Sequence, residues 1–398
     1  MRNHAVTIES LPEAFAMLQA MQAEGLCWGE GYRPLARQAV AEIIENQMRR
    51  AVDAHLERMA ELEVADRRNG SYSRHLLTEL GDIALAVPRS RCYNPRRVIR
   101  AYARRTGEID RMILACFVLG LSTRKVAEAL LPVLGQPVSA STVSQVAKTL
   151  DTAVAAFHRR PLRNQYTALL FDGVVLSRKT GAGAIKRPVL VALGIRADGR
   201  KEILDYRLAA SESAAEWERF LTDLHTRGLT GEGLDMVCVD GGTGLLAALP
   251  TVFPNVPVQR CWAHKMRNLL DKVRKTDQEE VKQDLHAIMH AKCRVKAQGA
   301  ARRFAQRWHA AYPKVVASLR DDLEELLTCF CYAGEEDRKR VRTTNAIERR
   351  FREVRRRTRP MGVFQDKTSM DRILFAVFLR ENKSHGANQP FLILTQNN

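Results

Sequence analysis

No apolar run in this chain approaches the roughly 20 residues that a membrane-spanning helix needs. The amino terminus, Met1-Arg2-Asn3-His4 followed by Glu9 and Glu13, lacks the apolar core of a signal peptide. The chain is therefore expected neither to cross a membrane nor to be exported. Its eight cysteines are scattered, with no dense framework of the kind that secreted disulfide scaffolds carry, which fits a reducing cytosol. Negative charge is also in short supply: 45 Asp and Glu stand against 63 Lys and Arg, a formal charge of +18. So basic a balance, without a membrane signal, points to a cytoplasmic protein that meets nucleic acid.

The 398 residues are enough for two or three domains with a sizeable core. Residues 1 to about 66 read as helical, and residues 1–105 as an N-terminal helical and basic region. Asp66-Arg67-Arg68-Asn69-Gly70 reads as a turn, and Val87-Pro88-Arg89-Ser90-Arg91 with Asn94-Pro95-Arg96-Arg97 as a basic, proline-punctuated loop, either solvated or touching phosphates. Across 106–160 the pattern becomes three short amphipathic helices. The first ends at Gly120, the second opens at Ser122-Thr123-Arg124, and Ser139 or Ser141 can cap the third. That arrangement resembles a helix-turn-helix, although an ordinary helical hairpin has the same pattern.

After Pro161 the period switches to strands. Tyr166 to Phe171 runs into Asp172-Gly173, Pro188 to Ile195 and Glu202 to Leu208 complete an antiparallel meander, and a helix through Trp217 and Leu224 follows. Leu234 to Val239 is a fourth strand that delivers Asp240 at its carboxyl end; Leu245 to Leu249 is a short helix and Val256 to Arg260 a fifth strand. Three strands, helix, strand, helix, strand is the order of a ribonuclease-H-like α/β core, here over 161–274. Residues 275–339 read as an all-helical insertion, 340–385 as the closing helices of the core, and 386–398 as a loose tail. The helix beginning near Asn345 has Ile347, Phe351 and Val354 as its buried stripe.

Three carboxylates would converge in such a core: Asp172 on the first strand, Asp240 at the end of the fourth, and Glu348 on the closing helix. Singly, Asp172-Gly173 and Asp240-Gly241 read as turns, and Asn345-x-x-Glu348 as a capping box. Jointly they suit two magnesium or manganese ions, because three close carboxylates repel one another unless a divalent cation offsets the charge. A pair of such ions can clamp a phosphodiester. Arg342, Arg349, Arg350, Arg355, Arg356 and Arg357 are expected to hold the phosphates of that substrate.

Cys261 and His264 have metal-ligand spacing, C-x2-H, yet a zinc site needs two more ligands, and Cys329-Phe330-Cys331 is a poor chelate. Packing that positions the Asp240 loop, or a nucleic-acid contact from His264, is the alternative. Trp308 can stack on a flipped base or pack beside Phe304 and Tyr312.

From about Asn69 to about Phe364 the chain resembles the Mutator-type transposases of bacterial insertion sequences. The motifs that carry the resemblance are Phe171-Asp172-Gly173, Arg227-Gly228-Leu229, Val239-Asp240-Gly241, Phe253-Pro254, Gln259-Arg260-Cys261-Trp262-Ala263-His264 with Arg267-Asn268, and Arg342-Thr343-Thr344-Asn345-Ala346-Ile347-Glu348. Upstream, Gly120 to Arg124 and the serines of the third helix, Ser141 and Ser144, fit the DNA-binding region of that family. The resemblance implies a DDE triad of Asp172, Asp240 and Glu348 holding the metal ions, with DNA contacts from Arg124, Ser141, Ser144, Arg260, His264 and Arg267. It also implies action on an element's terminal inverted repeats and on target DNA without ATP, in a homodimer or larger synaptic assembly at the nucleoid. A metal-dependent nuclease or resolvase on the same fold, or a transposase retained only as a DNA-binding regulator, remains the alternative.

Overall fold

The computed structural model describes residues 32–95, 98–99, 104–119, 121–180, 183–359, 364 and 366–384. The reading of residues 1–31 as helical, the helix end at Gly120 and the loose tail at 386–398 lie outside them. Contacts divide the chain into two units, Met1–Lys148 and Thr149–Asn398, and the fold is mixed α/β. No helix among the described residues is long and apolar enough to cross a membrane.

In the first unit, helix α1 (Arg33–Glu61) packs Met48 against Leu76, Ile83, Leu85 and Val87 of a two-stranded antiparallel hairpin, β1 (Arg68–Thr78) and β2 (Gly81–Ser90). This hairpin replaces the turn and loop expected at 66–70 and 87–91. Ile83, Leu85 and Val87 alternate with more exposed neighbours, which is the two-residue period of a half-buried strand. Pro88 is tolerated in β2 because it faces Ser71, next to a register shift between Arg68 and Ser71. Three helices follow, α2 (Gly107–Val118), α3 (Thr123–Leu134) and α4 (Ala140–Ala147). Their caps are those the sequence suggests: Ser122 Oγ accepts from Lys125 N at 3.3 Å, and Ser139 Oγ from Thr142 N at 3.1 Å.

The second unit is built on a five-stranded sheet. Helix α5 (Leu150–Arg159) leads into β3 (Ala168–Thr180), β4 (Gly183–Ile195) and β5 (Lys201–Leu208), joined antiparallel. Helix α6 (Ala214–Thr226) then crosses to β6 (Met236–Val239), and α7 (Thr243–Val252) to β7 (Val258–Arg260); both strands run parallel to β3, giving the order β5-β4-β3-β6-β7. Strand β6 and the paired first part of β3, residues 168–171, are wholly apolar and buried because both faces of the central sheet are covered there. Trp217, Phe220 and Leu221 of α6 and Leu245 and Leu249 of α7 pack with Leu169 and Phe171 on one of those faces. Gly244 permits the close approach of α7 to the start of α6: a Cβ there would lie 2.2 Å from the Glu212 carbonyl oxygen.

Helices α8 (Trp262–Leu270), α9 (Gln278–Met289), α10 (Arg294–Trp308), α11 (Pro313–Asp321) and α12 (Leu323–Leu326), a 3-10 turn (Thr328–Cys331) and α13 (Glu335–Val341) follow β7. The core of this bundle runs from Trp262 and Leu269 through Leu285 and Phe304 to Leu326, so it begins at α8, before residue 275. Helix α14 (Asn345–Thr358) turns Ile347, Phe351 and Val354 inward, as its spacing suggests. Helix α15 (Lys367–Ser384) covers the exposed edge of β5: buried Asn382 accepts from Ile203 N at 2.7 Å and donates to Ile203 O at 3.0 Å, standing in for a neighbouring strand.

Candidate functional site

The register of β3 with β6 brings the first two carboxylates together. Leu170 pairs with Cys238 and Phe171 with Val239, so the next residues, Asp172 within β3 and Asp240 just past the end of β6, stand side by side. Strand spacing sets such neighbours roughly 5 Å apart. Both side chains are held by the backbone that follows them, Asp172 Oδ1 accepting from Gly173 N at 2.7 Å and Asp240 Oδ1 from Gly242 N at 2.8 Å. Gly241 makes that second turn with φ +98°, and a Cβ there would strike Arg260.

Helix α14 supplies the third carboxylate. Asp172, His264 and Glu348 line one cavity of about 530 Å³, whose other charged walls are Arg267, Arg349, Arg352 and Arg355. Glu348 Oε1 lies 3.4 Å from His264 Nε2. Among the described residues, no three His, Cys, Asp or Glu side chains close tightly enough on one point to hold a metal ion. The carboxylates nevertheless act on one another. Burial pushes the Asp172 carboxyl up to about 7, with the charges of Asp240 and Glu348 adding to it and the Gly173 amide and His264 opposing. His264 is pushed up to about 9, first by its contact with Cys261 and then by the Cys261, Asp172 and Glu348 charges, against burial.

The capping box expected from Asn345-x-x-Glu348 does not form. Thr344 is the N-cap, Asn345 is the first helical residue and lines the cavity, and no side chain caps the helix. Instead the Glu348 amide donates to Thr344 O at 3.1 Å, and the Thr344 side chain faces Cys261 and His264.

The segment Gln259 to His264 ties three parts of the unit together. The Cys261 amide donates to Val239 O at 2.7 Å, next to Asp240. Buried Gln259 donates to Leu326 O at 3.0 Å and accepts from Cys329 N at 2.6 Å, while Trp262 Nε1 donates to Leu326 O at 2.9 Å. Arg260, read as a DNA contact, is engaged within the fold by Asp322 at 3.3 Å and Glu325 at 3.7 Å. Cys329 and Cys331 form no metal cluster with Cys261 and His264 among the described residues.

The arginines of α14 divide by face. Arg349, Arg352, Arg355 and Arg356 are exposed, whereas Arg350 and Arg357 are buried at 2% and 7%. Arg342 is buried at 6% and donates to Glu335 Oε1 at 2.6 Å. Arg342, Arg350 and Arg357, read as phosphate contacts, are thus turned away from solvent in this structure. Trp308 is in the bundle core, 9% exposed, its Nε1 donating to Asp284 Oδ2 at 2.8 Å. In the first unit Arg124 and Ser141 are exposed and Ser144 is half-buried.

Sequence reasoning missed Glu212. Its carboxylate fills the space a side chain at residue 173 would take, with Oε1 2.7 Å from an ideal Cβ on Gly173. Burial and the Asp240 charge push its carboxyl up. The signal was its place in Ser211-Glu212-Ser213, immediately before the Ser213 cap of α6.

Residues 10–386 match the family described as Transposase, Mutator family. The chain is 31% identical over 312 residues to the transposase of insertion sequence element IS905 from Lactococcus lactis subsp. lactis (strain IL1403), covering 78% of each protein. It is 30% identical over 357 residues to the transposase of ISRM5 from Rhizobium meliloti (strain 1021), covering 89% of this chain and 88% of that protein. The transposase of IS256 in transposon Tn4001 from Staphylococcus aureus is 30% identical over 344 residues, with 85% and 86% covered. The chain belongs to the Mutator family of insertion-sequence transposases.

The raised Asp172 carboxyl gives a testable sign. Between its ordinary value, 3.8, and about 7 the folded protein binds more protons than the unfolded chain. Stability therefore falls as pH rises through that window, and the cost is fully present above it. In chelator-treated protein, Asp172→Asn is expected to raise the calorimetric melting temperature at pH 8 by at least about 3 °C. The gain should shrink toward zero as the pH approaches 4; an equal gain at both ends contradicts this account.

Proposed function

We propose that the chain is a DDE transposase that cleaves and joins DNA strands at the ends of an insertion sequence. The observation that carries this reading is a cavity lined by Asp172, Glu348 and four arginines, with Asp240 set beside Asp172 by the pairing of adjacent strands. The antiparallel β3-β4-β5 meander extended by parallel β6 and β7 supports a ribonuclease-H-like core. The capped α3 and α4 support a helix-turn-helix that reads the terminal inverted repeats, with Arg124, Ser141 and Ser144 as its contacts.

The donor set fits hard divalent cations. It offers carboxylate oxygens alone, two of them carry a free second oxygen beside a backbone-bonded one, and their mutual repulsion is what a cation would relieve. Asp172, Asp240 and Glu348 would hold magnesium or manganese. Bound there, two such ions supply charge stabilisation at the attacking and leaving oxygens of a phosphodiester.

The chain's own residues bind and orient the strand. Arg267 of α8 and Arg349, Arg352 and Arg355 of α14 lie where phosphates flanking the scissile bond would rest, and their spread over two helices fixes the path of the backbone. His264, cationic at neutral pH, holds Glu348 in place before the metal site is filled. Water or a DNA 3′-hydroxyl serves as the attacking group, and exchange of one phosphodiester for another needs no ATP. Joining two element ends calls for two or more copies of the chain in one synaptic assembly, working at the nucleoid in the cytoplasm.

Two outcomes test this reading. Glu348→Gln is expected to lower strand cleavage in magnesium by about a thousandfold or more, in the range of removing a transition-state contact, while binding of labelled element ends is unchanged. Normal cleavage by that variant removes the triad; cut but never joined products favour a nuclease. Arg352→Ala and Arg355→Ala are each expected to reduce the slope of log affinity against log salt by about 1. Arg357→Met should leave that slope unchanged, because its guanidinium is buried; the opposite pattern places the DNA elsewhere.

A further inference from the structure

The sulfur of the C-x2-H pair sits at the centre of a buried polar cluster next to Glu348. Cys261 is fully buried, and its Sγ is a hub: it accepts from Thr344 N at 3.2 Å and from Thr344 Oγ1 at 3.4 Å, and His264 Nδ1 lies 3.3 Å away. His264 Nδ1 in turn lies 3.4 Å from Thr344 Oγ1. The other ring nitrogen faces Glu348. Thr344 is fully buried and is the N-cap of α14, so without the sulfur its amide would face no acceptor. The Cys261 backbone is itself fixed to Val239, the residue before Asp240.

We infer that Cys261 is a positioning residue for Glu348: its sulfur is the acceptor that sets the first turn of α14 and the His264 ring, and so registers Glu348 against the Asp172 and Asp240 pair. The inference rests on the reading of Glu348 as a ligand of the site. It gives the cysteine that stands one residue after β7 a part in holding the site. A thiol sulfur is large and soft enough to accept from an amide, a hydroxyl and a ring nitrogen at 3.2–3.4 Å, distances that are long for oxygen and ordinary for sulfur. The clip also couples the two ends of the site: strand β6 and helix α14 are far apart in sequence, and Cys261 bonds to the first through its backbone amide and to the second through its sulfur.

The test compares full-length Cys261→Ala and Cys261→Ser with the native chain. The first measurement needs neither metal nor DNA. Hydrogen exchange followed by mass spectrometry should show peptides spanning 342–350 exchanging faster in Cys261→Ala, with Cys261→Ser between it and the native protein. Exchange there equal to that of the native protein overturns the inference. The second is cleavage of element ends in magnesium. Cys261→Ala should lower kcat by about 10- to 100-fold, the usual cost of losing a group that orients a ligand, with end binding unchanged, and Cys261→Ser should recover most of it.

A packing role predicts the reverse order, because serine adds a buried hydroxyl to no more volume than alanine; serine no better than alanine therefore overturns the inference. Should Cys261→Ala fail to fold, Thr344→Val removes the hydroxyl from the other side at nearly constant volume. It should slow cleavage severalfold at unchanged end binding, and native kinetics for it also count against the clip. If the native protein cleaves no DNA, the proposed function fails, and the exchange measurement still decides the clip.

Discussion

The parallel register of β3 and β6 is the constraint on which the rest of the second unit depends. Once Phe171 stands beside Val239, the next two residues cannot be kept apart, and both are aspartates. Burying the Asp172 carboxylate beside the half-buried Asp240 is costly, and its raised carboxyl is the physical mark of that cost. The surroundings are arranged against it: backbone amides of Gly173 and Gly242 take one oxygen each, and His264 and four arginines bring positive charge to the same cavity. Such an arrangement is poor for stability and well suited to a ligand that carries charge of its own, which is why it reads as a site and not as a structural ion-pair network.

A short segment, the end of β7 and the start of α8, joins the sheet to the helical bundle next to this cavity. Gln259 and Trp262 both bond to the Leu326 carbonyl, Arg260 pairs with Asp322, and Lys265 completes the join with bonds to Ser318 and Asp322. The helical bundle from Trp262 to Val341 is thereby fastened to the sheet beside Asp240, and the chain returns at Thr344 to the point it left. The basic helix α14 then serves two purposes at once. Its apolar stripe, with Arg350 and Arg357, closes the core, and its opposite face presents Arg349, Arg352 and Arg355 to the cavity.

Much of this was legible in the residues. Apolar runs that stop at Asp172 and Asp240, and the Ile347, Phe351, Val354 spacing, each encode a strong local preference that the tertiary structure keeps. What was not legible depends on neighbours distant in sequence. The β1–β2 hairpin was hidden by Pro88 and the basic residues around it, although Ile83, Leu85 and Val87 carried the strand period. Asn345 looks like a cap by spacing, but Cys261 and His264 draw the Thr344 side chain away and shift the cap by one residue. A run of arginines does not state which of its members face inward, and only the packing of α14 shows that Arg350 and Arg357 do. Glu212 had only its place before the Ser213 cap as a signal, because its relation to Gly173 exists in space alone.

The central claim, that Asp172, Asp240 and Glu348 hold divalent ions at one point, is tested most directly by metal-directed cleavage of the polypeptide itself. Ferrous iron bound in place of magnesium, with ascorbate and peroxide, cuts the backbone within a few ångströms of where it sits. The account predicts cuts beside all three residues, suppressed together by excess magnesium and absent from Asp172→Asn. Cuts that spare any one of the three, or that fall elsewhere in the chain, would contradict it.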